Sequence, residues 1–199
     1  MLESVFNVLR TYVHYYFGHR VFENYPIICV SHYAANEFCK WLTEKYNADP
    51  KRKFKKVIFR LPTESEFIKA ASSAYDPKTV PYYPWGFELR DSKGRQLCNY
   101  KAIREEYLDY NDSMKKIEYQ SNAFLGDWDF TAPVASYPPN RYGLYNIVGN
   151  VSEMTQEEGV AMGGDYNSTG YNVRVTSKKK YEKCCSTVGF RVYMEIVEF

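Results

Sequence analysis

Two stretches of the chain repeat their apolar positions at the three-to-four-residue step of a helix face. From Ser31 to Tyr46 the apolar set is Ala34, Ala35, Phe38, Trp41 and Leu42, continued by Lys45 or Tyr46. Cys39 lies beside that face, and Ser31 is placed to cap it. A second helix is predicted from Glu64 to Ser73, introduced by Leu61-Pro62-Thr63. There Thr63 and Glu66 stand in the Ser/Thr-x-x-Glu relation, in which each side chain takes the other's free backbone N–H. A third helix is expected over Leu2 to Tyr16, within an N-terminal extension covering residues 1–25. Short strands are predicted at Ile27–Val30, Val57–Arg60, Ala132–Tyr137, Gly159–Gly163, Asn172–Thr176 and Gly189–Ile196.

After Ser73 the periodicity lapses. Between Tyr75 and Pro139 the chain is interrupted by Pro77, Pro81, Pro84, Gly86, Gly94, Gly126, Pro133, Pro138 and Pro139. Only Ile103 to Ile117 keeps a helical period for more than two turns. Long irregular connections are uncommon inside compact domains and are usually functional or held in place, so this stretch is itself information about the architecture.

Composition narrows the function classes. The 199 residues suit one sizeable domain, and the net charge of +2 provides no broad field for nucleic acid or acidic lipid. The basic stretches Lys51-Arg52-Lys53 with Lys55-Lys56, and Lys178-Lys179-Lys180 with Lys183, read as solvated loops. No apolar run approaches the roughly 20 residues of a bilayer span, so no transmembrane segment is expected. Met1–Arg20 carries Glu3 and Arg10 and does not read as a secretory signal; an exported protein would carry its signal upstream. The 20 tyrosines suit a loop-rich domain in which rings are buried and hydroxyls satisfy irregular backbone.

The common catalytic signatures are missing. His14, His19 and His32 stand in no H-E-x-x-H context, and no G-x-S-x-G, P-loop or G-x-G-x-x-G occurs. The five cysteines, Cys29, Cys39, Cys98, Cys184 and Cys185, form no C-x-x-C. The run Gly143 to Glu153 differs from the rest. It offers the oxygens of Asn146 and Glu153 together with intervening carbonyls, a hard donor set that suits calcium at about 2.3–2.6 Å. The alternative is that Asn146, Asn150 and Glu153 cap turns.

Several blocks follow one another in a recognisable order: Pro26-Ile27-Ile28-Cys29-Val30-Ser31; Ala35, Cys39 and Trp41; Arg60-Leu61-Pro62-Thr63-Glu64-Ser65-Glu66-Phe67; and Tyr83-Pro84-Trp85-Gly86. They continue with Ala132-Pro133-Val134, Pro139-Asn140, Gly143-Leu144-Tyr145, Gly149-Asn150-Val151 with Glu153, Gly163-Gly164, and Gly189-Phe190-Arg191. In this order the chain resembles the formylglycine-generating enzyme, or sulfatase-modifying factor, family from about Pro26 to Val192.

The resemblance implies an α+β domain over 26–199, related to C-type lectins, with low regular secondary structure, two main helices and small twisted antiparallel sheets. It also implies structural calcium. By position, one site falls on Asn146, Glu153 and the carbonyls of Gly149 and Val151; another falls on Asn99, Asp127 and the carbonyls of Tyr100 and Trp128. The family's glycine-rich first strands have no counterpart in Met1–Asn24, so a fragment or trimmed domain is expected.

The family's oxygen-dependent members bind copper(I) through two cysteines soon after Gly-Gly. Here Asp165 to Arg174 contains none, and no copper is expected. Cys184 and Cys185 are expected to be small buried hydrophobes instead. Residues Tyr16–Pro26 and Asn150–Gly164 are similar to the gliding-motility lipoproteins of type IX secretion. That implies a non-catalytic module with a protein partner in the periplasm or at the outer membrane. Two alternatives accompany it: a formylglycine-generating oxidase, and a ligand-display variable protein whose contacts are Asn167, Ser168, Tyr171, Asn172 and Arg174.

Overall fold

The computed structural model describes residues 15–73, 80–102, 108–111, 116–119, 128 and 130–199. All but the last two positions of the helix expected over Leu2–Tyr16 lie outside them; residues 15–18 are helical.

Helix α1 (His32–Ala48) begins where its cap predicts, with Ser31 Oγ accepting the Ala34 N–H at 3.1 Å. Its buried stripe is Ala35 and Cys39, while Phe38 and Trp41, expected on the inner face, are 43% and 49% exposed. The stripe is rotated because α1 lies against strand β1 (Lys56–Arg60), to which its polar side chains bond directly. Asn47 accepts from Val57 N at 3.0 Å and donates to Val57 O at 2.9 Å, and Thr43 Oγ1 accepts from Phe59 N at 2.8 Å. A side-chain amide thus satisfies backbone groups that a neighbouring strand would otherwise pair.

Helix α2 (Glu64–Ser72) starts with the predicted capping box. Thr63 Oγ1 accepts from Glu66 N at 3.2 Å, and Glu66 Oε2 accepts from Thr63 N at 2.8 Å. It sends Phe67 and Ala71 into the largest core cluster, with Cys98, Ile147, Val148, Met162 and Val173.

Leu108–Asn111 (β2) and Lys116–Tyr119 (β3) pair antiparallel, so these parts of the stretch Ile103–Ile117 are strand and not helix; residues 103–107 and 112–115 lie outside the described residues. Ser152–Met154 (β4), Val160–Met162 (β5), Lys178–Lys180 (β6) and Val188–Gly189 (β7) make a sheet of order β6-β5-β4-β7. Its β4–β7 pair is parallel, a departure from the expected all-antiparallel arrangement. Strand β8 (Tyr193–Glu198) returns antiparallel to β1.

Three predicted strands are absent. Ile27–Val30 is broken by Cys29, whose φ of 57° leaves the extended region. Ala132–Tyr137 is turn and coil, bonded by a side chain instead of a strand. Asn172–Thr176 follows and overlaps a 3₁₀ turn, Gly170–Val173, that drops Val173 and Val175 into the core. Gly189–Ile196 divides between β7 and β8. Lys178–Lys180, expected as solvated loop, is an edge strand whose Lys178 pairs with Glu64 and whose Lys179 pairs with Asp165.

Candidate functional site

The loops are organised around Gly149-Asn150. A Cβ on Gly149, which has φ +72°, would meet Asn99 O at 2.5 Å, so this position requires glycine. The close approach lets Asn150 N donate to Asn99 O at 2.8 Å. Asn150, at φ 62° and fully enclosed, accepts from Ala132 N at 2.7 Å and from Asn99 Nδ2 at 3.3 Å, and donates to Ala132 O at 3.0 Å.

Beside this node a cavity of about 420 Å³ is lined by Asn146, Val151, Glu153 and Arg191. Asn146 Nδ2 donates to Pro133 O at 3.0 Å, while its Oδ1 is buried without a hydrogen-bond partner. Glu153, 4% exposed, is held by Arg191 through Nε at 3.0 and 3.1 Å and Nη2 at 2.7 Å. Burial pushes the Glu153 carboxyl above its ordinary range, with Arg191 opposing. Gly149 is not among the residues that line the cavity. Of the donor set predicted around Asn146, three residues, Asn146, Val151 and Glu153, therefore line one cavity, with an unsatisfied amide oxygen among them. Arg191, quoted in the sequence only as part of Gly189-Phe190-Arg191, is the carboxylate's partner.

The other predicted set is described in part. Asn99 is fully buried; its Nδ2 donates to Phe130 O at 2.7 Å and its Oδ1 has no partner among the described residues. The Tyr100 carbonyl already accepts from Ala102 N at 2.8 Å. Trp128 is 37% exposed, with its ring edge to that of Tyr25, and Asp127 lies outside the described residues. Among the described residues no three His, Cys, Asp or Glu side chains group as metal ligands. An ion held here would depend on amide and carbonyl oxygens with one carboxylate, the composition calcium accepts. The orphaned oxygens of Asn146 and Asn99 fit that chemistry.

On another face, Asn167, Ser168, Tyr171, Asn172 and Arg174, the predicted ligand surface, all line one cavity of about 550 Å³. Gly164, φ +69°, lets the floor close: a Cβ there would meet Asn172 O at 2.1 Å. Asp165 is buried behind the loop, accepting from Ser152 Oγ at 3.1 Å and Lys179 Nζ at 2.7 Å. The Arg174 guanidinium lies 4.0 Å from the Tyr82 ring centre and 4.1 Å from that of Tyr171. It also opposes the rise that burial imposes on the Tyr83 hydroxyl. Asp165, Lys179 and Tyr82 were not singled out from sequence as parts of this site. Only the Lys178–Lys180 run carried a signal, and inward-facing charge on an edge strand is its physical meaning.

No cysteine lines the cavity. Cys184 is exposed, which corrects the expectation that both adjacent thiols are buried; Cys185 is half-buried against the α1 cluster. Burial raises the Cys29 thiol, with Cys184 and Cys185 adding to the rise, and that disfavours its thiolate.

A model of the sulfatase-modifying factor enzyme 1-like domain matches residues 17–196. The formylglycine-generating enzyme of Thermomonospora curvata is 33% identical over 130 residues, 65% of this chain and 32% of that protein. The mouse (Mus musculus) formylglycine-generating enzyme is 31% identical over 134 residues, 67% of this chain and 27% of that protein. The chain therefore spans about a third or less of these relatives. In fold it is similar to Treponema denticola variable protein 1, with a TM-score of 0.59 and 19% identity over 88% of this chain and 72% of that one. No helix among the described residues is long and apolar enough to cross a membrane. With a family model matched over nearly its whole length, the chain belongs to the sulfatase-modifying factor enzyme 1-like family.

Proposed function

We propose that this chain is a non-catalytic binding module of its family, recognising a ligand or partner through the segment after Gly163-Gly164, with calcium holding its loops. The observation that carries the reading is the content of residues 165–174. Where the oxygen-dependent members carry two copper cysteines, this chain carries Asn167, Ser168, Tyr171, Asn172 and Arg174, and those side chains line an open cavity. Soft copper(I) needs sulfur donors, whereas amides, hydroxyls and a guanidinium recognise polar groups. Calcium is assigned to Asn146, Glu153 and the carbonyls of Gly149 and Val151, with a second ion at Asn99; its role is to order backbone that has few ladder partners.

The likeness of Tyr16–Pro26 and Asn150–Gly164 to gliding-motility lipoproteins supports placing the module in a bacterial envelope assembly, in the periplasm or at the outer membrane. Cell fractionation of the native protein checks that placement, and recovery in the cytoplasm removes it. A ligand-display role is the second reading, supported by the exposure of Asn167, Tyr171 and Asn172 on the cavity rim.

The deciding experiment is copper(I) titration together with turnover on a Cys-x-Pro-x-Arg peptide. Neither tight copper binding nor aldehyde formation is expected. Aldehyde production that disappears in the Cys184→Ser, Cys185→Ser double variant would establish the oxidase alternative.

A further inference from the structure

The 550 Å³ cavity contains a charge that its surroundings leave unbalanced. Three basic residues line it, Arg174, Lys178 and Lys179, and no acidic residue does. Lys178 is paired with Glu64, and Lys179 lies 2.7 Å from Asp165. Among the described residues Arg174 has no carboxylate within ion-pair distance, and its Nε is buried without a hydrogen-bond partner.

The way Arg174 is held makes this more than a stray surface charge. The Tyr82 and Tyr171 rings lie 4.0 and 4.1 Å from the guanidinium and the Tyr83 hydroxyl hydrogen-bonds with it, so the group is held in place by three aromatic side chains, and its only neutralising contact among them is a neutral hydroxyl. Its backbone is fixed as well: Arg174 N donates to Ser177 Oγ at 3.1 Å, and Ser177 Oγ donates to Tyr171 O at 3.2 Å. A planar fork oriented in advance loses little freedom when it binds an oxyanion, which it meets with paired hydrogen bonds. Asn167, Ser168 and Asn172 lie on the same wall and offer amide and hydroxyl groups to the polar body of such a ligand. The volume is that of a small-molecule site.

We propose that this cavity binds a small polar organic anion, with Arg174 receiving its carboxylate or phosphate group between Tyr82 and Tyr171. The assignment rests on the binding-module reading and adds the chemical class of what is bound.

The test is an NMR titration of the full chain, following backbone amides, with two matched pairs: N-acetylglycine against N-acetylglycinamide, and glycerol 3-phosphate against glycerol. The anionic member of at least one pair is expected to shift the amides around Ser168, Arg174 and Ser177 with about tenfold or greater preference over its neutral partner. The responding pair tells carboxylate from phosphate. Arg174→Gln removes that preference, and Arg174→Lys, which keeps the charge without the flat fork, retains only part of it. Should Arg174→Gln not fold, the charged-against-neutral comparison on the native chain still decides. Equal responses within both pairs, no response to any of the four probes at millimolar concentration, or an undiminished preference in folded Arg174→Gln overturns the assignment. Failure of the binding-module reading has a separate sign, copper loading with aldehyde formation, which this titration does not report.

Discussion

Asn150 grips the backbone of Ala132 as a neighbouring strand would, taking its N–H on Oδ1 at 2.7 Å and returning Nδ2 to its carbonyl at 3.0 Å. Both partners are buried, so Asn150→Ala leaves two backbone groups without hydrogen bonds and places an alanine at φ 62°. The expected loss is about 3 kcal/mol in urea unfolding, with the m-value unchanged. A loss below about 1 kcal/mol would mean that water replaces the amide and that the node does not organise the loops.

Lys179 compensates a buried acid. Removing it in Lys179→Met leaves Asp165, 1% exposed, with Ser152 Oγ as its remaining side-chain partner. The expected destabilisation is about 2–4 kcal/mol, partly recovered when Asp165→Asn is added. Strict additivity in the double-variant cycle contradicts the pairing.

Acid sensitivity is expected from Glu66. Its hydrogen bonds to Arg60, then that from the Thr63 backbone, hold its carboxyl down at about 2, against an unperturbed value of 4.5. A depressed folded-state value means that the contribution is fully present above about pH 4.5 and is lost as pH falls toward 2. In Glu66→Gln, Tm should be lower near neutrality and fall less steeply through that window. Parallel Tm profiles for the two proteins would show that the box carries no ionic component.

Calcium is expected to stabilise the native chain by mass action, because the donor set around Asn146 exists only when folded. A millimolar chelator should lower Tm by roughly 5 °C, and excess calcium should restore it. In Asn146→Ala and Glu153→Gln the chelator-induced shift should shrink. An unchanged Tm in chelator removes the ion from the account of loop order.

What could be read from sequence follows the reach of each interaction. The caps at Ser31 and Thr63 act over three residues, and both helices begin where those residues place them. Strand Val57–Arg60 was legible from its short β-branched and aromatic run. Ala132–Tyr137 also reads as a strand, but the backbone partner of Ala132 is a side chain 18 positions away, which no local pattern shows. The β4–β7 pair joins Ser152 to Val188 across the whole cavity-bearing excursion and was invisible for the same reason. Of the candidate sites, Asn146 and Glu153 were legible as oxygen donors within the short run Gly143 to Glu153, whereas the set from Asn167 to Arg174 came from the resemblance. Arg191 and Lys179, which set the electrostatics of the two cavities, required three-dimensional proximity to be recognised.

The clasp from Asp165 to Lys179 joins residues fourteen positions apart, and between them Tyr166, Val173 and Val175 descend into the interior. The segment is thereby riveted at its two feet and at three interior points, while the exposed Asn167, Thr169 and Asn172 carry little of the body's weight. Those three outward letters can be rewritten without unpicking the seam, which makes this stretch a replaceable faceplate on a fixed housing.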